Sequence, residues 1–245
     1  MTSAAVKRQV LELGGAFMIS REARMFGEAT GVDGFHGAYT RGRGGVLGDV
    51  DADVVTAAFG FFEPECVRAA WESVPMPAAD AANRYMIACR DFGQRKLAAF
   101  EQADRLAELL RRVVDAAPST GLPLFAGWRA MPVPEDGRSA VLQLTHVLRE
   151  LRGGLHLVAV MANGLTPLQA ILVAGSPIYD GPGHAKFLGW AEPFEPVTAD
   201  IQARWDAAEK LTDELIAPCF DVLDDAERAE LTTLMLEAHR VGLTR

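Results

Sequence analysis

Two histidines, two arginines and a glutamate fall within one long apolar stretch, THVLRELRGGLHLVAVMANG, from Thr145 to Gly164. At about 100° per residue, Val147, Val158, Leu151, Leu144, Leu155 and Leu148 share one side of a helix. Arg149, Arg152 and His156 line up opposite, flanked by His146 and Glu150. Guanidinium groups offer fixed paired donors to a carboxylate, sulfate or phosphate, and an imidazole one turn away can move a proton near neutral pH. The stripe therefore reads as an anion-binding face with acid/base capacity, set against the plainer reading of a solvated helix face tied up in salt bridges.

His146 and Glu150 stand four residues apart, so they point the same way and could share a metal with a third ligand such as His36. His156 lies about 80° away on the helical wheel and does not complete the set. Ion pairing of Glu150 with an arginine is the favoured reading, and no metal is expected. A second cluster, His36, Tyr39, Arg41 and Arg43, lies in GVDGFHGAYTRGRGGVLGDV, where seven glycines suggest a loop able to approach a ligand closely. The bland alternative is a surface turn whose aromatic residues pack down.

Familiar signatures are missing: there is no G-x-S-x-G elbow, P-loop, H-E-x-x-H or C-x-x-C. RGRGGVLG approaches a dinucleotide fingerprint, but Leu47 stands where the third glycine would fall and no strand precedes it. Three dispersed cysteines, Cys66, Cys89 and Cys219, suit reduced thiols and a cytoplasmic setting. Lys7 and Arg8 precede an apolar run that Glu12 interrupts, so neither secretion nor a membrane span is expected. With a net charge of −9, binding to nucleic acid would need a local basic patch, and Arg41 to Arg43 make a weak one.

The elements that must position these groups read as helices. A chain of 245 residues, 49% hydrophobic, can bury a full core. The pattern predicts helices over residues 20–30, over DADVVTAAFGFF behind a cap at Asp51 or Asp53, and over PECVRAAWESV restarted by Pro64. From Pro77 to Ala117 it predicts two helices or one kinked near Gly93. PSTGLPLFAGWRAMPVPEDG and GSPIYDGPGH read as loops. Ser139 is placed as the cap of the central helix, which Gly153 and Gly154 kink or end. Thr166, Pro167 and Gln169 open a helix to Ala174, and two more cover residues 197–216 and 224–241, the last with a capping box from Asp224 and Glu227. No stretch alternates with period two long enough to demand a strand.

Gly34, Phe35, Tyr39, Arg43, Leu47 and Gly48, and later Leu148, Arg149, Glu150, Arg152, Gly153, His156, Gly164, Leu165 and Pro167, follow two blocks in which the chain resembles the actinobacterial SalK-like proteins, a family labelled helix-turn-helix. The resemblance covers most of residues 10–240. Tyr39 falls one position early, and Val46 replaces the usual proline. Further on the family carries a winged-helix-like segment; Trp190, Thr212, Asp213 and Leu215 are kept here, while the recognition helix and much of the wing are eroded.

The expected fold is therefore an all-α multi-helix bundle with a degenerate winged-helix-like C-terminal third, divided as a helical core over residues 1–176 and a helical segment over 177–245 packed on it as one unit. The resemblance implies specialised metabolism, natural-product (antibiotic) biosynthesis included. A cofactor-free, lyase- or cyclase-type enzyme or catalytic subunit would hold an anionic substrate with Arg149, Arg152, Arg43, Tyr39 and His146. His156, Glu150 or His36 would handle the proton for elimination, cyclisation or isomerisation. The alternative is a ligand-sensing transcriptional regulator or a non-catalytic partner subunit using the same pocket. Expected partners are a small anion and a homo- or hetero-oligomeric neighbour, with neither nucleic acid nor membrane.

Overall fold

The computed structural model describes residues 2–244. Among them are thirteen α-helices, three short 3-10 segments and no strand, as the period-3.6 patterning requires. In chain order the helices are α1 (Thr2–Ala16), α2 (Arg21–Thr30), α3 (Phe35–Gly44), α4 (Ala52–Phe59), α5 (Pro64–Ser73), α6 (Ala78–Lys96) and α7 (Ala103–Ala116). They continue with α8 (Pro123–Ala130), α9 (Gly137–Ala162), α10 (Pro167–Ala174), α11 (Gly181–Phe187), α12 (Ala199–Ile216) and α13 (Asp225–Leu243).

Helix α9 is the axis. Helices α1, α6, α7, α8, α10 and α12 all pack on it, and every residue from Ser139 to Arg152 except Arg149 is buried. Its polar residues therefore meet other helices instead of water. Asp136, not Ser139, is the cap: its carboxylate accepts the Ser139 amide at 2.8 Å, while Ser139 is itself buried in the first turn. The helix runs straight through Gly153 and Gly154, and the second glycine makes room for Leu122, whose Cδ2 would lie 2.7 Å from an added Cβ. No single helix among the described residues is long and apolar enough to cross a membrane.

Helix starts follow their sequence signals closely where a side chain closes the first turn. Capping boxes form at Thr166 with Gln169 and at Asp224 with Glu227, and Ser20 accepts the Ala23 amide at 3.3 Å. Pro64 opens α5 behind Glu63, which accepts the Cys66 amide at 2.7 Å. Asp51 occupies the position before α4 without a side-chain cap bond. The long alanine-rich segment breaks at 97–102 and not at Gly93, which lies buried in α6 against α9.

Three segments expected to be loops contain helices. The glycine-rich stretch holds α3, the proline-rich connection holds α8, and GSPIYDGPGH leads straight into α11. In α3 the glycines serve close packing. A Cβ on Gly42 would lie 2.6 Å from Tyr85 Cδ2 and 2.8 Å from Phe26 Cε1, and one on Gly45, just beyond the helix, would strike the Ala78 backbone. Each glycine weakens an isolated helix by about 0.5–1 kcal/mol. Here that cost is offset by dispersion attraction between α3 and α6, whose backbones the missing side chains allow to pack closely. In the C-terminal part α12 packs on α9, and α13 packs on α1 and α7. Ile216, Phe220, Leu231 and Met235 join the same apolar core as Phe17, Trp128 and Leu148.

Candidate functional site

The polar residues of α9 divide between two buried networks. On the side facing α3, Arg43 holds Glu150 with two hydrogen bonds, Nε to Oε1 at 3.0 Å and Nη2 to Oε2 at 2.8 Å. Arg149 adds a longer contact to the same carboxylate at 3.4 Å. Burial pushes the Glu150 carboxyl up, but the Arg43 charge and hydrogen bonds outweigh it and bring the group down to about 2. The pair is thus ionised throughout the physiological range. The Arg43 guanidinium also lies 4.6 Å over the Phe59 ring and 5.7 Å from that of Tyr39. This is the arginine partnership expected for Glu150, reached from a helix and not from a loop.

Behind this pair lies a cluster that sequence reasoning missed. Phe17, Tyr85 and Trp128 surround His146, with ring centroids 5.2 Å from His146 to Phe17, 6.0 Å to Tyr85 and 5.2 Å to Trp128. Tyr85 Oη, Trp128 Nε1 and both His146 nitrogens are buried without a hydrogen-bond partner among the described residues. The Gly14 backbone faces the imidazole yet falls short of a hydrogen bond. Burial lowers the His146 pKa to about 4 against the opposing pull of Glu150, so the ring is neutral at pH 7. Burial likewise raises the Tyr85 phenol well above its ordinary value, keeping it protonated. An orphaned buried polar atom costs about 1–3 kcal/mol, which makes four in one place a feature in need of a reason. Tyr85 carries no signal in the alanine-rich run of α6; only its contact with Gly42 links it to the glycine motif.

The second network joins α9 to α12 and α1. Arg152 reaches Glu209 at 3.0 Å and Asp213 at 3.8 Å, and Lys7 pairs with Glu209 and lies 3.7 Å from Asp213. Thr212 donates its hydroxyl hydrogen to the Ala208 carbonyl at 2.7 Å, so its oxygen must accept from His156 Nδ1 at 2.9 Å. That assigns the His156 proton to Nδ1, with Glu209 3.4 Å away as a further acceptor. Burial between Phe61 and Trp205 lowers the His156 pKa to about 4, outweighing the Glu209 charge. Charges here are matched inside the protein, and the cluster works as a clasp.

His36 joins neither network. Its Nε2 lies 2.7 Å from the Phe187 carbonyl of α11, and its ring sits among Phe35, Phe62 and Phe187. It therefore meets neither Arg149 nor the His146–Glu150 pair, and no three metal-ligating side chains gather among the described residues. Arg41 is a structural staple, donating to the Met76 carbonyl at 2.7 Å and to Asp49 while stacking 4.1 Å over Trp71.

A cleft of about 450 Å³ opens between α2 and α3. Met18, Ile19, Phe26, Phe35 and Tyr39 line it, Tyr85 lies at its floor, and Arg24, Glu28 and Asp33 stand at the mouth. Of the residues singled out in the sequence, the structure puts Tyr39 in the lining of this cleft and gathers Arg43, Arg149 and Glu150 in a buried network outside that lining, with His146 one turn from Glu150 on α9. It sends Arg152 and His156 to the α12 clasp and leaves His36 apart.

Over residues 3–242 the sequence matches a family described as helix-turn-helix. The chain belongs to that helix-turn-helix family. No curated protein and no solved structure matches it. The match is to the broad family and is silent on SalK-like specifics. The helix pairs α2–α3, α4–α5, α5–α6 and α9–α10 are each joined by four residues. On α5, Arg68 is paired with Asp53 and Glu65, and Glu72 follows one turn on.

Proposed function

We propose that the chain is a regulator-like, small-molecule-binding protein whose ligand occupies the cleft between α2 and α3. Family membership supports the regulator-like part, and the acidic α5 face argues that this helix does not read DNA. The observation that carries the binding reading is Tyr85: its ring lines the cleft, while its buried hydroxyl, unpartnered among the described residues, belongs to the polar cluster behind. Apolar walls with a few polar groups at one end are the usual make-up of a small-molecule site. The test is saturable binding of a neutral fluorophore, Nile red, compared between the wild-type chain and Ala38→Trp, which fills the cleft. Wild-type binding that disappears in Ala38→Trp, with helicity and Tm kept, supports the reading; binding unchanged by the tryptophan refutes it.

A second reading keeps the expectation of cofactor-free acid/base chemistry on an anionic substrate in specialised metabolism, as the SalK-like resemblance implies. His146 favours it, being a neutral imidazole with both nitrogens unengaged among the described residues. Glu150 and Arg43 would then set the field around that imidazole, while His156, Arg152 and His36 hold the fold. Turnover lost in His146→Phe with Nile red binding kept would select this reading over pure binding.

A further inference from the structure

The cleft between α2 and α3 keeps its apolar and its charged groups apart. Met18, Ile19, Phe26, Phe35 and Tyr39 make its walls, while the charged residues of its lining, Arg24, Glu28 and Asp33, are all exposed. No buried charge lines it, so its interior suits an uncharged apolar body, and a charged group carried there would lose its water without a partner. Phe35 and Tyr39 stack with ring centroids 4.8 Å apart and planes 21° from parallel, which gives the interior a flat aromatic side.

At the mouth the charges do not balance. Two carboxylates face one guanidinium, so one negative charge is in excess whichever of them Arg24 partners. The helix ends leave that excess in place: α2 closes at Gly31 and α3 opens at Gly34, and their opposite half charges come together across residues 31–34 and offset each other. The net charge of −9 on the whole chain draws cations to the surface and turns anions away. A carboxylate on an aromatic ring would therefore meet the wrong sign at the mouth, and a neutral polar group would leave the excess unanswered. We infer that the occupant of the cleft is a small amphiphilic amine, its apolar ring against Phe26, Phe35 and Tyr39 and its ammonium group at the mouth with Glu28 and Asp33. This inference rests on the cleft being the ligand site and adds the chemical class of the ligand.

The test uses 1-naphthylmethylamine, protonated at pH 7, and its neutral counterpart 1-naphthalenemethanol, titrated calorimetrically into the full chain and its variants. Exposed ion pairs are weak, so the wild type should favour the ammonium by about three- to fivefold at about 0.01 M salt. The margin should shrink at about 0.1 M salt, where the Debye length falls from about 30 Å to about 10 Å. Glu28→Gln and Asp33→Asn, both at exposed positions, should each lower the preference and together remove it, with alcohol binding and Tm unchanged. Arg24→Gln should raise it, and Ala38→Trp should abolish binding of both probes. Equal binding of the two probes by the wild type, both lost in Ala38→Trp, overturns the ammonium assignment and keeps the cleft. A preference that survives in the double variant of Glu28→Gln with Asp33→Asn overturns the assignment too. Binding of neither probe, or binding indifferent to Ala38→Trp, overturns the inference and the cleft reading together.

Discussion

His146 should make the protein acid-labile in a window set by its own titration. Its pKa falls from an ordinary 6.5 to about 4 in the folded chain because burial disfavours the imidazolium, with Arg149 and Arg43 adding to the effect and Glu150 opposing it. Below pH 6.5 the unfolded chain takes up a proton that the folded chain refuses until about pH 4. Stability is therefore complete above the unfolded pKa and lost as pH falls toward the folded one. Linkage over these two pKa values removes about 2.5 kcal/mol between pH 7.5 and pH 4.5, of the roughly 4 kcal/mol that 1.36 kcal/mol per pH unit would allow one proton over that span. Glu150 and Glu22, both held at about 2, lose their contributions only below the ordinary carboxylate value of 4.5, while His156, lowered to about 4 as well, titrates in this window in both chains and cancels in the comparison with His146→Phe. Urea denaturation followed by circular dichroism at pH 7.5, 6.5, 5.5 and 4.5 measures the effect in wild type and in His146→Phe, which keeps the aromatic packing and removes the titration. The variant should gain about 2.5 kcal/mol on the wild type across the series. A constant gap from pH 7.5 to 4.5 would show that His146 is not refused its proton, and the reasoning from burial would fail.

Arg43→Met should cost about 3–5 kcal/mol in thermal or urea unfolding, because it strands a fully buried carboxylate, and adding Glu150→Met should restore much of that loss. A double mutant no better than the single would show that the pair is not the source. Gly42→Ala should destabilise by about 1–3 kcal/mol, since its Cβ meets Tyr85 and Phe26. Gly153→Ala, in mid-helix with nothing within 4 Å of the new methyl, should stabilise by about 0.5–1 kcal/mol. Equal effects at the two glycines would refute the packing account of α3.

The helical class and most helix starts were legible because both depend on local signals. Thr166 and Asp224 cap amides within their own first turns, Pro64 presets the helical dihedral at the first position, and the 3.6 period needs no partner. The glycine-rich segment was misread because glycine has two uses that look alike in one dimension. At Gly42 and Gly45 it brings backbones together instead of freeing them, and only the presence of Tyr85 and Ala78 opposite tells the difference. The charged stripe of α9 was legible as polar, and its division was not. At 100° per residue Glu150 and Arg152 lie about 160° apart, so a buried helix sends them to opposite neighbours. Arg43 and Glu209, the partners that decide their roles, come from α3 and α12, 107 and 57 residues away. Tyr85 and Trp128 were invisible as site residues because an aromatic on an apolar face reads as core until its polar atom is seen to lack a partner.

That division also weighs binding against chemistry. Strongly shifted titratable groups mark active sites, but they mark structural ion networks equally well, so partners must decide. Glu150 is saturated by Arg43 and ionised down to about pH 2, which makes it a poor base and no acid near neutrality. His156 has its Nδ1 hydrogen committed to Thr212 and its charge environment balanced by Glu209, Arg152 and Lys7. Breaking either set would strand buried charge, a cost that a catalytic cycle would meet at every turnover. What remains free to engage a guest is the neutral hydrogen-bonding capacity of Tyr85, Trp128 and His146. Under the proposed binding reading, a neutral cluster of this kind suits a sensor that moves no charge of its own, and the catalytic reading would rest on His146.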